Sequence, residues 1–111
     1  MLRLALLLPL ALGLAACDSD SSDDVADAEC GPVTGTIAVT EAEVSPDLAR
    51  ITPDEAGAAA VATAPGAAVT DVDLEEEDGF LVYEVDLLLD GDEFEVVVDA
   101  GTGAVLCSAR D

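Results

Sequence analysis

TDVDLEEEDGFLVYEVDLLLDGDEFEVVV, residues 70–98, holds two aspartate-glycine pairs, Asp78-Gly79 and Asp90-Gly91, each between runs that alternate apolar and acidic residues. Such a pair suits the two-residue type I′ hairpin turn, in which both central residues need a positive φ. The second turn would set Leu87 opposite Phe94, Val85 opposite Val96 and Tyr83 opposite Val98. The first would set Leu74 opposite Tyr83, Val72 opposite Val85 and Thr70 opposite Leu87. Both registers place the apolar members on one face, so two independent turns demand the same sheet.

Working outward, residues 104–108 follow the loop 99–103 and read as a fourth strand carrying Cys107. On the other side, Thr52, Pro53, Asp54 and Glu55 spell a helix start: an N-cap, proline at the first helical position, acids at the positive end of the dipole, and Glu55 placed for a capping box. The helix is expected to run to about Ala64, where Pro65 and Gly66 stop it. Its body is nearly all alanine, so it can approach a sheet closely while adding little apolar area of its own. The expected architecture is α+β, one helix packed on a four-stranded antiparallel sheet. Residues 36–39 are a candidate extra edge strand, and residues 45–50 read as a connector.

The same register aligns Asp71 with Asp86 and Glu95 across neighbouring strands of the opposite face, and Asp73 with Glu84. Like charges directly opposite one another are destabilising. Two readings follow. Water and salt screen these acids and they serve solubility, or they form a docking face whose repulsion is relieved by a basic partner or divalent ions. Residues 71–78 lack the glycine that an EF-hand loop needs at its sixth position, so a general response to cations is expected and no defined metal site.

The chain of 111 residues has 25 acidic residues, three arginines or lysines and no histidine. That charge opposes binding to nucleic acid and to anionic lipid headgroups. Numerous carboxylates on a small domain are usually a solvated face, and a domain this small has little room for a substrate cleft. No catalytic residue and no cofactor are expected.

Near the start, Arg3 precedes an apolar run that ends in Leu14-Ala15-Ala16-Cys17. This resembles the lipobox of bacterial lipoproteins: a short basic start, a hydrophobic run too short to span a bilayer as a mature helix, and small residues before a cysteine. The resemblance implies that residues 1–16 are a signal peptide and that Cys17 carries the lipid of a membrane anchor. The alternative is an ordinary cleaved signal followed by an unmodified cysteine. Residues 18–29 contain six acids and only one large apolar residue, Val25. Such a stretch reads as a flexible acidic linker with a reach of roughly 20 Å. Asp18 directly after Cys17 resembles the signal that retains lipoproteins at the inner membrane, which implies the periplasmic face of that membrane within a bacterial envelope. With Cys17 lipidated, Cys30 and Cys107 are the remaining pair, and in an exported protein a disulfide is expected. The alternative, free thiols for redox or metal work, lacks a C-x-x-C spacing and a histidine.

The domain from residue 30 to 111 has a resemblance of its own. Ile51, Thr52, Pro53, Asp54, Glu55 and Ala56, then Gly79, Tyr83, Glu84, Val85 and Gly91, then Val96, Val98, Asp99, Ala100, Thr102, Gly103 and Val105 are similar to the PepSY domain. That module occurs in propeptides of thermolysin-like metallopeptidases and in bacterial envelope proteins. The resemblance, over residues 51–109, implies a non-enzymatic inhibitor or regulator of envelope peptidases. Beside it stands an acidic binding or scaffolding module for a basic envelope partner or cations, with no effect on proteolysis.

Overall fold

The computed structural model describes residues 30–110. The expected signal peptide over residues 1–16, Cys17 and the expected linker over residues 18–29 lie outside the described residues. Two short 3-10 turns, Glu41–Glu43 and Pro46–Leu48, lead to α1 (Pro53–Val61), β1 (Ala68–Glu77), β2 (Phe80–Leu89), β3 (Asp92–Asp99) and β4 (Val105–Arg110). The strands form one antiparallel sheet in the order β1-β2-β3-β4, with α1 across one face. This is the α+β arrangement expected from the two turns and the helix start.

Asp78 and Gly79 have φ of 52° and 92°, and Asp90 and Gly91 have 54° and 85°, the double positive φ of type I′ turns. The Glu76 carboxylate accepts the Gly79 amide at 2.6 Å and so secures the first turn. Leu87 pairs with Phe94, Val85 with Val96 and Tyr83 with Val98, while Val72 pairs with Val85 and Leu74 with Tyr83. One expected pair is corrected: Val69, not Thr70, faces Leu87. A bulge between Val69 and Asp71 leaves Thr70 outside the ladder, and its hydroxyl donates to the Asp86 carbonyl at 3.2 Å. The bulge keeps an apolar residue on the helix side at the far end of β1.

The capping box of α1 forms as expected, with the Thr52 hydroxyl accepting the Glu55 amide and the Glu55 carboxylate accepting the Thr52 amide. The helix ends at Val61, earlier than Ala64, because the chain tightens there. Thr63 and Ala64 donate their amides three residues back, and the Thr63 hydroxyl takes the Ala60 carbonyl at 2.7 Å. Ala56, Gly57 and Ala60 are buried against the sheet. Beneath them lie Leu81, Tyr83, Val85, Leu87, Val96 and Val98, each almost wholly buried. Burial of each large aliphatic side chain is worth about 1.5–3 kcal/mol. The Tyr83 hydroxyl donates to the Ile51 carbonyl at 3.0 Å, and the Arg50 and Ile51 amides both reach the Ala100 carbonyl, which fixes where α1 begins.

The opposite face of the sheet is apolar at one end. Val82 and Val97 project there and are covered by Val33, with Cys30, Cys107 and Leu106 packed alongside. The Cys30–Cys107 disulfide is formed, with Cα atoms 5.7 Å apart across a sequence separation of 77. In place of an edge strand over residues 36–39 there is a single bridge, Ala38 with Phe80, flanked by the Leu81 amide on the Ile37 carbonyl and the Val39 amide on the Gly79 carbonyl. The segment lies alongside the start of β2, beyond the point at which β3 has ended at Asp99. The last strand begins at Val105 and reaches Arg110, further than residue 108, after a bulge between Val97 and Val98.

Asp99 is the buried polar junction of the fold at 1% exposure. It accepts the Thr36 hydroxyl at 2.8 Å, the Thr102 hydroxyl at 2.7 Å, the Thr36 amide at 3.2 Å and the Gly101 amide at 3.3 Å. Burial pushes its pKa up, but the bonds from Thr102, Thr36 and Gly101 outweigh that and hold the carboxyl below its ordinary range.

Candidate functional site

The alternation that sends Val72 and Leu74 toward the helix sends Asp71, Asp73, Glu75 and Glu77 to the other face of β1. In the ladder Asp71 stands opposite Asp86, Asp86 opposite Glu95, and Asp73 opposite Glu84. The five acids named from the sequence therefore share one face. The fold adds Glu75 and Glu77, whose carboxylate oxygens lie with that of Glu84 within 4.8 Å of one another. Their parity in the sequence carried the signal: they continue the two-residue period of Asp71 and Asp73.

These carboxyls are crowded and partly dry. Glu75 pairs across strands with Val82 and Glu84 with Val97, the two sheet valines of the second apolar cluster. Burial is the leading cause that raises Glu84 to about 8; a hydrogen bond with Glu95 and the charges of Glu75, Glu95 and Glu77 add to it. Burial, followed by neighbouring carboxylates, also raises Glu75 and Glu77. Asp73 is raised first by a hydrogen bond with Asp71 and then by its charge. Glu84, raised to about 8, therefore favours its protonated form at neutral pH, and the crowding pushes its neighbours Glu75, Glu77 and Asp73 in the same direction. A calcium ion takes about six to eight oxygens, so the three clustered carboxylates would supply at most part of its shell.

The other functional candidate lies along β1 on the helix side. Sheet order leaves β1 at an edge. One groove of about 400 Å³ runs between the entry to α1 and the strand, lined by Pro46, Arg50, Pro53, Val72, Leu74 and Tyr83 among others. A second of about 460 Å³ continues past Pro53, Gly57, Ala58, Val61, Val69 and Val72. The two share Pro53 and Val72 and so form one largely apolar trough. Sequence reading missed it because a trough is made by the spacing between α1 and β1, and small helix residues carry no pattern that marks one.

A family model described as "Peptidase propeptide and YPEB domain", PepSY, matches residues 50–106, just over half of the chain. The chain belongs to the PepSY family. No curated protein and no solved structure matches it. The PepSY match takes in α1, the first three strands and the whole acidic cluster. Both cysteines fall outside it, so the disulfide and the segment from Cys30 to Val39 form a clamp beyond the matched PepSY residues. PepSY domains are propeptide or inhibitory modules and not catalytic ones, and the acids and trough described here suit binding.

Proposed function

We propose that this chain is a membrane-anchored PepSY lipoprotein that inhibits or otherwise regulates an envelope peptidase. The observation that carries the reading is the PepSY match across the helix and sheet, since the family is described by its place in peptidase propeptides. A lipid on Cys17 would hold the domain at the periplasmic face of the inner membrane, with residues 18–29 as spacer. An edge strand beside an apolar trough supports a role in binding polypeptide.

The test is titration of the full oxidised chain into thermolysin-like and other envelope peptidases, with substrate turnover and survival of the chain followed together. Saturable inhibition with the chain intact is the expected result. Digestion of the chain, or unchanged turnover across the panel, removes the proposal.

One observation favours a second reading. Glu75, Glu77 and Glu84 converge, and Asp71, Asp73, Asp86 and Glu95 surround them in the ladder, as a module for a basic envelope partner or cations would require. Replacing Asp71, Asp86 and Glu95 by their amides would abolish partner binding in this reading and leave peptidase inhibition unaffected in the first.

A further inference from the structure

We infer that the free edge of β1 is a docking site for an extended, alternately basic and apolar protein segment, added to the sheet as a fifth strand. The inference goes beyond the peptidase reading, because it names the surface and the chemistry of its occupant whether or not the partner is a peptidase.

An edge strand presents backbone N–H and C=O groups that a further strand can use. β1 is ten residues long and, among the described residues, has a strand neighbour on one side alone. A strand laid beside it would point alternate side chains to the two faces of the sheet. On the helix side they would meet the apolar trough, where Val69 is 41% exposed and Val72 and Leu74 are half-buried. On the other side they would meet Asp71, Asp73, Glu75 and Glu77. Apolar residues suit the first row and lysine or arginine the second.

Charge decides among the occupants. Five of the ten residues of β1 are acidic and none is basic. A second copy paired edge to edge would set those acids against one another. Residues 18–29 of the same chain carry six acids and no base, so they are repelled as well. Acids on an edge protect it from self-pairing, but that purpose needs no apolar trough along the same strand. The trough and the acids together favour a foreign, basic and apolar strand. Among the described residues Arg50 is the only basic side chain that lines the trough, in the part it does not share with the second groove.

The experiment uses the full oxidised chain, isotope-labelled, and an acetylated and amidated heptapeptide of alternating lysine and valine. The peptide is expected to bind saturably and to slow hydrogen exchange of the outward β1 amides by about tenfold or more. A peptide of the same composition with N-methylated valines keeps charge and apolar area but loses backbone donors, and is expected to bind at least about tenfold more weakly. Ala58→Arg, at an exposed helix position, places a cation over the trough and is expected to weaken binding by a similar factor of about ten. Equal binding of the N-methylated peptide, protection confined to the acidic face, or β1 amides already protected without peptide would each overturn the inference. Peptide binding without peptidase inhibition keeps this site and removes the proposed function; inhibition without β1 protection does the reverse.

Discussion

The Asp99 carboxylate accepts the hydroxyl of Thr36 at 2.8 Å across a sequence separation of 63. Through that contact and three more, one buried side chain ties the amino-terminal clamp to the β3–β4 loop. Asp99→Ala would leave the part-buried donors of Thr36, Gly101 and Thr102 without their acceptor and is expected to cost about 1–3 kcal/mol. Asp99→Asn keeps part of the acceptor set and should cost less. Urea denaturation of the two variants measures the order; equal losses would mean that the charge, and not the geometry, matters.

Gly101 provides an independent check on the same junction. A Cβ there would collide with the Thr36 hydroxyl oxygen and crowd Ile37. Gly101→Ala is expected to displace the clamp and destabilise by about 1–3 kcal/mol, the range for overpacking. Thr36→Ser retains the hydroxyl and, made in the Gly101→Ala background, should recover little, because the collision is with the oxygen itself.

Stability should rise as pH falls from about 8 toward 4.5. Glu84 has its folded pKa raised from the ordinary 4.5 to about 8. The folded state therefore binds the extra proton in this window, and its stabilising contribution is full below 4.5 and lost as pH rises through 8. The site is half-buried, so solvent screening reduces the effect to about 1–2 kcal/mol. Glu75, Glu77 and Asp73 are shifted in the same direction and add to the slope. Asp99, held low, acts oppositely: its contribution is present above 3.8 and lost as pH falls through its lowered pKa. Thermal melts across pH should show a maximum near pH 4–5, and Glu84→Gln should flatten the limb above it; a limb unchanged by Glu84→Gln would refute the assignment to this carboxyl.

Neutralising the ladder of like charges should stabilise the free domain. Asp71→Asn, Asp86→Asn and Glu95→Gln each relieve a repulsive cross-strand contact worth about 0.2–1 kcal/mol. The gain should shrink as salt is raised from about 0.01 M to 0.15 M, since the Debye length falls to about 8 Å. Melting temperatures at the two ionic strengths give the answer, and no gain at low salt would argue that shared protons already quench the repulsion.

Reduction of Cys30–Cys107 should destabilise the fold by roughly 4–5 kcal/mol by the loop-entropy argument. The loss should be uneven. Val82 and Val97 lie under the clamp, so their amides are expected to exchange faster after reduction than those of Val85 and Val96 beneath α1. Hydrogen exchange of oxidised and reduced chain tests the difference; a uniform increase would show that the clamp unfolds only with the whole domain.

The alternating runs and the two Asp-Gly turns determined the sheet, its register over most of its length and the identity of its buried face, because period-two patterning and type I′ geometry are local rules. The helix start was equally local, and so was the acidic row from Asp71 to Glu95. The chain's own i+2 spacing also contained Glu75 and Glu77. What tertiary structure alone decided depends on contacts between distant segments. Thr70 leaves the ladder at a bulge, Val82 and Val97 are covered by residues far earlier in the chain, and Asp99 is buried because Thr36, Gly101 and Thr102 converge on it. The raised pKa of Glu84 likewise comes from Val97 beside it and Glu95 diagonal to it, and the trough along β1 from the distance at which an alanine helix settles on the sheet. Sequence spacing specifies which way a side chain points; how dry or crowded its surroundings become is set only when the layers close.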